Sequence, residues 1–139
     1  MILIDPGSTH NFIDAILVSQ LHIHVDTSQI LEGKVANGDV IKTQGVCKAV
    51  PILMQGEKFL VHLHVLPMEG CDLVLGTHWL GTLGVIQWDF KLLIMRFSYG
   101  HKHVQLQGLK NANSQLQDSD NFLKQPVKKG LILQISVQL

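Results

Sequence analysis

Cysteine is scarce in this sequence, and so is any excess of charge of one sign. The only two cysteines, Cys47 and Cys71, cannot build a disulfide framework, so we expect a reducing, intracellular location and in particular the cytoplasm. Lysine plus arginine and aspartate plus glutamate each total 11, and the net charge with neutral histidine is zero. Because no overall field then attracts phosphate backbones or anionic lipid, we expect neither a nucleic acid nor a membrane as a partner.

The chain also lacks a long hydrophobic run. Its apolar stretches are a handful of residues long, well short of the ~18 that span a bilayer, and its start has none of the regions of a signal peptide. Hydrophobic residues nevertheless make up 46% of the 139 residues and charged residues only 16%. This composition excludes a disordered chain and predicts one domain with a buried core.

Charge and composition change along the chain. Residues 1–97 carry six basic and nine acidic side chains, whereas residues 98–139 carry five basic and two acidic ones. The polar run over 111–121 is typical of a linker, and residues 131–139 alternate as in a strand that needs a partner sheet. We therefore predict a folded domain over 1–97, followed by a polar linker and a strand-like tail over 98–139.

Two short apolar runs in the folded part predict buried strands. Ile2–Ile4 ends at the turn residues Asp5-Pro6-Gly7, and Leu73–Leu75 ends at Gly76. Asp5 is therefore an acidic residue on a tight turn at the end of a buried strand. That setting is the most plausible place for chemistry in the chain.

Turn residues between β-prone stretches predict two hairpins and further strands. Asn37-Gly38 is the strongest of these signals, because both residue types tolerate positive φ. The other predicted strands are 50–54 and 59–65, joined through 55–57, then 85–88 and 92–97.

Helical spacing of apolar residues predicts two short helices. The first runs from Asn11 to Leu21, with Ser8, Thr9 or Asn11 as its N-cap, and the second runs from His78 to Leu83 and ends at Gly84. Many short strands with two short helices predict a mainly β, small barrel-like domain.

Four motifs occur together and in order. They are Asp5-Pro6-Gly7-Ser8-Thr9, Val35-Ala36-Asn37-Gly38, Leu73-Val74-Leu75-Gly76 and the segment 75–90. On these motifs the chain resembles the retroviral-type aspartic proteases of plant Gypsy-class retrotransposon polyproteins, over roughly residues 2–97. The resemblance implies the retropepsin-like acid-protease fold, a small closed β-barrel with two short helices.

The resemblance also implies an activity. Such a protease is a homodimer in which each subunit contributes one aspartate, here Asp5, and the two carboxylates share one proton. The pair activates a water that attacks a peptide bond of a polyprotein substrate, and no cofactor takes part. The implied site is an active-site loop of Pro6, Gly7, Ser8 and Thr9, a flap of Ala36, Asn37, Gly38 and Asp39, and a strand beneath the loop of Leu73, Val74, Leu75 and Gly76. Gly7 would let the backbone approach the two carboxyl groups, and Ser8 would bond to the outer carboxylate oxygen.

Two features depart from the family pattern. Where the family has Thr or Ser after the catalytic aspartate, this chain has Pro6, which offers neither a hydroxyl nor a backbone N–H for pairing the two loops of a dimer. The family domain also begins with a further strand hairpin before the catalytic strand, whereas Met1 stands four residues before Asp5. We expect an open sheet edge, weak dimerisation and reduced activity. The alternative function is that of an inactive retroelement remnant that serves only as a dimerisation or binding module.

Three H-x-H pairs suggest a weaker alternative, a metal-binding module, because alternate residues of a strand lie on one face. They are His22 with His24, His62 with His64, and His101 with His103. Alternation on half-exposed strands explains the pairs equally well, so we assign no metal ligand. We likewise expect Trp79 and Trp88 to serve packing.

Overall fold

A computed structural model describes residues 1–34 and 38–108, together with residues 133–135 and 137–138. Within these ranges strands dominate and two short helices occur, which confirms the mainly β prediction. The helices are α1 (Ala15–Leu21) and α2 (Thr77–Leu80). The strands are β1 (Ile2–Ile4), β2 (Phe12–Asp14), β3 (Glu32–Lys34), β4 (Val40–Lys42), β5 (Val46–Met54), β6 (Glu57–Leu66), β7 (Leu73–Leu75), β8 (Gln87–Asp89), β9 (Ile94–Tyr99), β10 (Lys102–Gln107), β11 (Leu133–Ile135) and β12 (Val137–Gln138).

The largest sheet has seven strands in the order β11-β1-β7-β2-β6-β5-β12. β1 runs parallel to β7, with Ile4 opposite Leu75, and β2 runs antiparallel to β7 and parallel to β6. β7 therefore lies between the strand that leads into Asp5 and the strand that follows the loop. A three-stranded sheet, β10-β9-β8, and the β3-β4 hairpin complete the described architecture.

The strand that leads into Asp5 is paired on both sides, so the expected open edge does not lie at β1. β11 pairs antiparallel with β1, and β12 pairs antiparallel with β5. Residue 136 alone separates β11 from β12 in sequence, so one short segment of the tail pairs with both edge strands. A backbone ladder can be completed by any strand of the same chain, however distant in sequence. The described strands form no detected closed barrel, and that part of the fold prediction stays unconfirmed.

The hydrophobic core lies where the β5-β6 hairpin meets α2 and the three-stranded sheet. Trp79 is 4% exposed, and its ring centroid lies 5.6 Å from that of Phe59 and 6.3 Å from that of Phe97, so its predicted packing role is confirmed. Trp88 is half-buried and stacks on Phe90. Other fully buried side chains are Ile2, Ile4, Ile13, Ile52, Met54, Leu63, Leu73, Leu75, Met95 and Leu106.

The predicted first helix begins too early. Residues 12–14 form β2, because Phe12 pairs with Val74 on one side and with His64 on the other. The backbone N–H and C=O groups thereby find partners in two neighbouring strands. The N-cap is Asp14, without a side-chain capping bond, and its carboxylate accepts a bond from Met68 N at 2.9 Å. None of Ser8, Thr9 and Asn11 caps α1. Helical spacing of apolar residues cannot distinguish a helix from a buried strand over so short a run.

The paired strands of both predicted hairpins are present. β5 and β6 pair antiparallel around the two-residue turn Gln55-Gly56, whose φ values of 49° and 90° are both positive, as a type I′ turn requires. β3 and β4 pair antiparallel with Lys34 opposite Val40. Ala36 and Asn37 lie outside the described residues, so the turn at Asn37-Gly38 stays a prediction.

Other boundaries differ from the predictions or extend them. α2 ends at Leu80 rather than Leu83, since Gly81 caps it. β9 runs past residue 97 and pairs with β10, a strand that the sequence pattern did not predict. The division into 1–97 and 98–139 stays a prediction, and the polar run over 111–121 lies outside the described residues.

Candidate active site

Asp5 begins a tight turn at the end of β1. Ser8 N donates to Asp5 O at 3.1 Å, so Pro6 occupies the second position of a four-residue turn, where its fixed φ is well suited. Gly7 N donates to Asp5 Oδ1 at 2.9 Å. A Cβ at Gly7 would lie 3.1 Å from the same oxygen, so glycine allows the backbone its close approach to the carboxylate.

Buried strands on both sides support Asp5. Asp5 N donates to Leu75 O at 2.9 Å, which continues the β1-β7 ladder into the turn. Ile4 and Leu75 are fully buried, whereas Asp5 is half-buried. The carboxylate therefore stands on a rigid base with access to solvent.

Gly76 brings the start of α2 against the active-site loop. A Cβ at Gly76 would lie 2.4 Å from Ser8 O and 2.5 Å from His10 O, closer than real Cβ contacts occur. Thr77 N donates to Ser8 O at 2.8 Å and His78 N donates to Thr9 O at 3.0 Å. The strand end and the loop are therefore in backbone contact, which only glycine at this position permits.

Asn11 joins the loop, β7 and β6, a role that the sequence analysis missed. Its side chain is buried, and Oδ1 accepts a bond from Gly76 N at 2.8 Å. Nδ2 donates to His62 O at 3.3 Å, and Asn11 O accepts a bond from His64 N at 2.9 Å. The only sequence signal was a polar residue before an apolar strand run, which the helix prediction treated as a possible N-cap.

Ser8 does not make the carboxylate bond that the resemblance implies. Its hydroxyl donates to His10 O at 2.9 Å and so closes the loop internally. Asp5 Oδ1 receives the Gly7 N–H instead. Thr9 is exposed, and it contributes its carbonyl to the contact with α2.

The flap prediction falls on the β3-β4 hairpin. Thr43 closes its base: Thr43 N donates to Leu31 O, and Leu31 N donates to Thr43 Oγ1, both at 2.9 Å. Gly38 has a φ of +90°, and Val40 is 54% exposed. The predicted positions Ala36 and Asn37 are not among the described residues, and closure of Gly38 and Asp39 over Asp5 stays a prediction.

The predicted H-x-H pairs are not all on strands. His22 caps α1 in the left-handed region and His101 lies in a turn, whereas His62 and His64 share β6. Within the described ranges, no group of three or more His, Cys, Asp or Glu side chains could hold a metal ion.

The cysteines do not pair with each other. Cys47 is buried, and both thiols are free. Burial raises the pKa of Cys71 to about 11, with the neighbouring Asp72 carboxylate adding to the effect. Cys71 is therefore protonated at neutral pH and a poor nucleophile.

A family model described as retroviral aspartyl protease matches residues 1–92. No curated protein sequence matches the chain. No helix in the described part of the chain is long and apolar enough to cross a membrane.

Proposed function

The chain belongs to the retroviral aspartyl protease family, and on this premise we propose that it is an aspartic endopeptidase domain whose catalytic group is Asp5. One observation carries the proposal: Asp5 stands at the end of a buried strand, and the loop that follows it is fixed to the start of α2 by backbone bonds from Thr77 N to Ser8 O and from His78 N to Thr9 O. Gly76, which leaves no room for a Cβ, allows this close approach. Catalysis needs a carboxylate whose position does not drift, and this arrangement supplies one.

The family acts as a dimer on polypeptides, so a second copy of this chain would supply the second carboxylate. Two carboxylates within a few ångströms share one proton and titrate as a pair. The ionised member takes a proton from a bridging water, which attacks the peptide carbonyl carbon. The protonated member donates its proton to the carbonyl oxygen, which gives a tetrahedral gem-diol. The carboxyl that took the water's proton then gives it to the amide nitrogen, and the other carboxylate takes back a hydroxyl proton. The C–N bond breaks, the amine and the carboxylic acid leave, and the pair again shares one proton.

The substrate class we propose is the polyprotein of a plant Gypsy-class retrotransposon, processed inside the cell. The four sequence motifs support this finer assignment, and the two free thiols agree with a reducing compartment. The β3-β4 hairpin is the proposed flap. Its exposed apolar residues Val40 and Ile41 suit contact with a peptide.

Pro6 favours a second candidate function, that of an inactive remnant that only folds and binds. Proline suits the turn geometry but has no N–H and no hydroxyl with which the loops of two subunits could bond to each other. Pro6 therefore allows the turn after Asp5 to form, but it offers no donor for a hydrogen bond between the loops of two subunits.

A peptide-library assay at mildly acidic pH distinguishes the two functions. We expect the parent chain to cleave peptides and Asp5→Asn to abolish cleavage, because asparagine can neither share nor transfer the proton. The matched control is Asp89→Asn: Asp89 accepts bonds from Lys91 N and Leu92 N in a turn, and asparagine keeps that acceptor. Cleavage that survives Asp5→Asn contradicts the proposal, and a parent that cleaves no peptide supports the inactive remnant.

A further inference from the structure

Three histidine rings pack together behind the loop that carries Asp5. We call His10, His64 and His78 the imidazole cluster. The ring centroid of His10 lies 4.7 Å from that of His78 and 5.3 Å from that of His64, and both contacts are edge to face. Phe12 packs beside them, with its centroid 6.4 Å from that of His10.

One member of the cluster lies in the loop itself, and the other two lie on elements that bond to the loop. His10 lies in the loop, two residues before β2 begins. His64 lies on β6, and His78 lies on α2. His78 N donates to Thr9 O at 3.0 Å, and His64 N donates to Asn11 O at 2.9 Å. Ring contacts and backbone bonds therefore act on the same short stretch of chain.

The surroundings of His10 and His64 suit neutral rings. Nδ1 of His10 and Nδ1 of His64 are buried and have no hydrogen-bond partner among the described residues. A protonated imidazole carries two N–H donors, and a buried donor without an acceptor is costly. In the described part of the chain, the charged groups that act on the two rings are themselves histidines: His78 on His10, and His10, His78 and His62 on His64.

We propose that the imidazole cluster is a pH-sensitive positioning device for Asp5, which holds the loop while His10 and His64 are neutral and releases it when they are protonated. Neutral rings attract one another edge to face. Protonated rings at these separations repel, and they strain the bonds from Thr77 N and His78 N to the loop. The consequence for catalysis rests on the proposed peptidase function, whereas the consequence for folding does not.

The direction of the pH effect follows from the partial burial of His10 and His64, whereas His78 is exposed. Burial lowers the pKa of His10 below its ordinary 6.5, with His78 adding to the effect. Burial also lowers the pKa of His64, with His10, His78 and His62 adding to it. At these two residues the unfolded chain therefore binds more protons than the folded chain just below pH 6.5. Their contribution to stability is complete above that pH and is lost as the pH falls towards the folded pKa values.

Urea unfolding of the full chain between pH 7.5 and 5 tests the folding consequence. Each of His10 and His64 can raise the unfolding equilibrium constant by up to about tenfold per pH unit as the pH falls through this window. We therefore expect the free energy of unfolding of the parent to fall steeply on acidification. The double variant His10→Phe with His64→Phe keeps ring volume without titration, so its free energy of unfolding should depend less steeply on pH. His101→Phe, in an exposed turn, should keep the parent slope. Equal slopes for parent and double variant overturn the proposal.

Ring titration in the parent chain decides the question if the double variant does not fold. In the proton NMR spectrum, the imidazole signals of His10 and His64 should titrate below pH 6.5, and titration at or above 6.5 overturns the proposal. Amide exchange, corrected for its intrinsic pH dependence, should show earlier loss of protection at Thr77 and His78 on acidification than in β9 and β10. If protection at Thr77 and His78 is lost at the same pH as protection in β9 and β10, the positioning role is overturned.

The pH profile of peptide cleavage tests the consequence for catalysis. We expect the acid limb of the double-variant profile to move to lower pH, while His101→Phe follows the parent. An unmoved acid limb overturns the positioning of Asp5. Absence of cleavage in every variant contradicts the proposed peptidase function, and the unfolding slopes then still decide whether the cluster senses pH.

Discussion

At Gly76 one added methyl group would meet backbone on two sides. Gly76→Ala should lower the free energy of unfolding by about 1–3 kcal/mol, because Ser8 O and His10 O lie 2.4 and 2.5 Å from the new Cβ and belong to backbone that is itself bonded. Gly33→Ala is the control, since nothing lies within 4 Å of a Cβ there. Urea unfolding measures both changes, and equal stabilities for the two variants would show that the loop can move away without cost.

Pro6 is the residue that we expect to limit activity most. Pro6→Ser supplies a hydroxyl and a backbone N–H where the family pairs its two loops, and each added hydrogen bond contributes ~1 kcal/mol. Peptide cleavage by the serine variant should therefore be faster by about tenfold or more, as ~1.4 kcal/mol of transition-state stabilisation implies. Adding Asp5→Ala should silence it. Equal rates for parent and serine variant would mean that loop bonding is dispensable here.

At the scale of elements, the tail strands complete the main sheet. Ile2 and Ile4 lie opposite Ile135 and Leu133, and Met54 lies opposite Val137, so both edge strands depend on one segment. Truncation after Gly130 should speed amide exchange in β1 and at positions 53–54 by about tenfold, as a local loss of ~1.4 kcal/mol implies. Exchange in β9 and β10 should not change. Unchanged exchange in β1 would show that β11 adds no protection.

At the scale of the whole molecule, we expect a weak dimer. The proposed catalytic unit needs two copies of Asp5, yet Pro6 removes donors from the place where the two loops would meet. Sedimentation of the parent at micromolar concentration should show mostly monomer, and Pro6→Ser should raise the dimer fraction. A tight parent dimer at this concentration would contradict the argument from loop bonding.

Local chemistry determined much of what the sequence revealed. Pro6 and Gly7 specify a turn at the end of an apolar run, and Gln55-Gly56 specifies a two-residue hairpin. These features depend on neighbours within a few residues, so the sequence alone predicted the strand before Asp5, the β5-β6 hairpin and a mainly β chain. The family motifs depend on local sequence in the same way.

Long-range contacts were decided only by the tertiary structure. Residues 12–14 became a strand because β6 and β7 offered partners on both sides, against their own helical spacing. The requirement for glycine at Gly76, the bonds of Asn11 and the imidazole cluster all join residues more than 50 positions apart. The pairing of the tail with β1 joins still more distant parts of the chain. A pattern of residue types states which groups need partners, but only the folded chain determines which partners they meet.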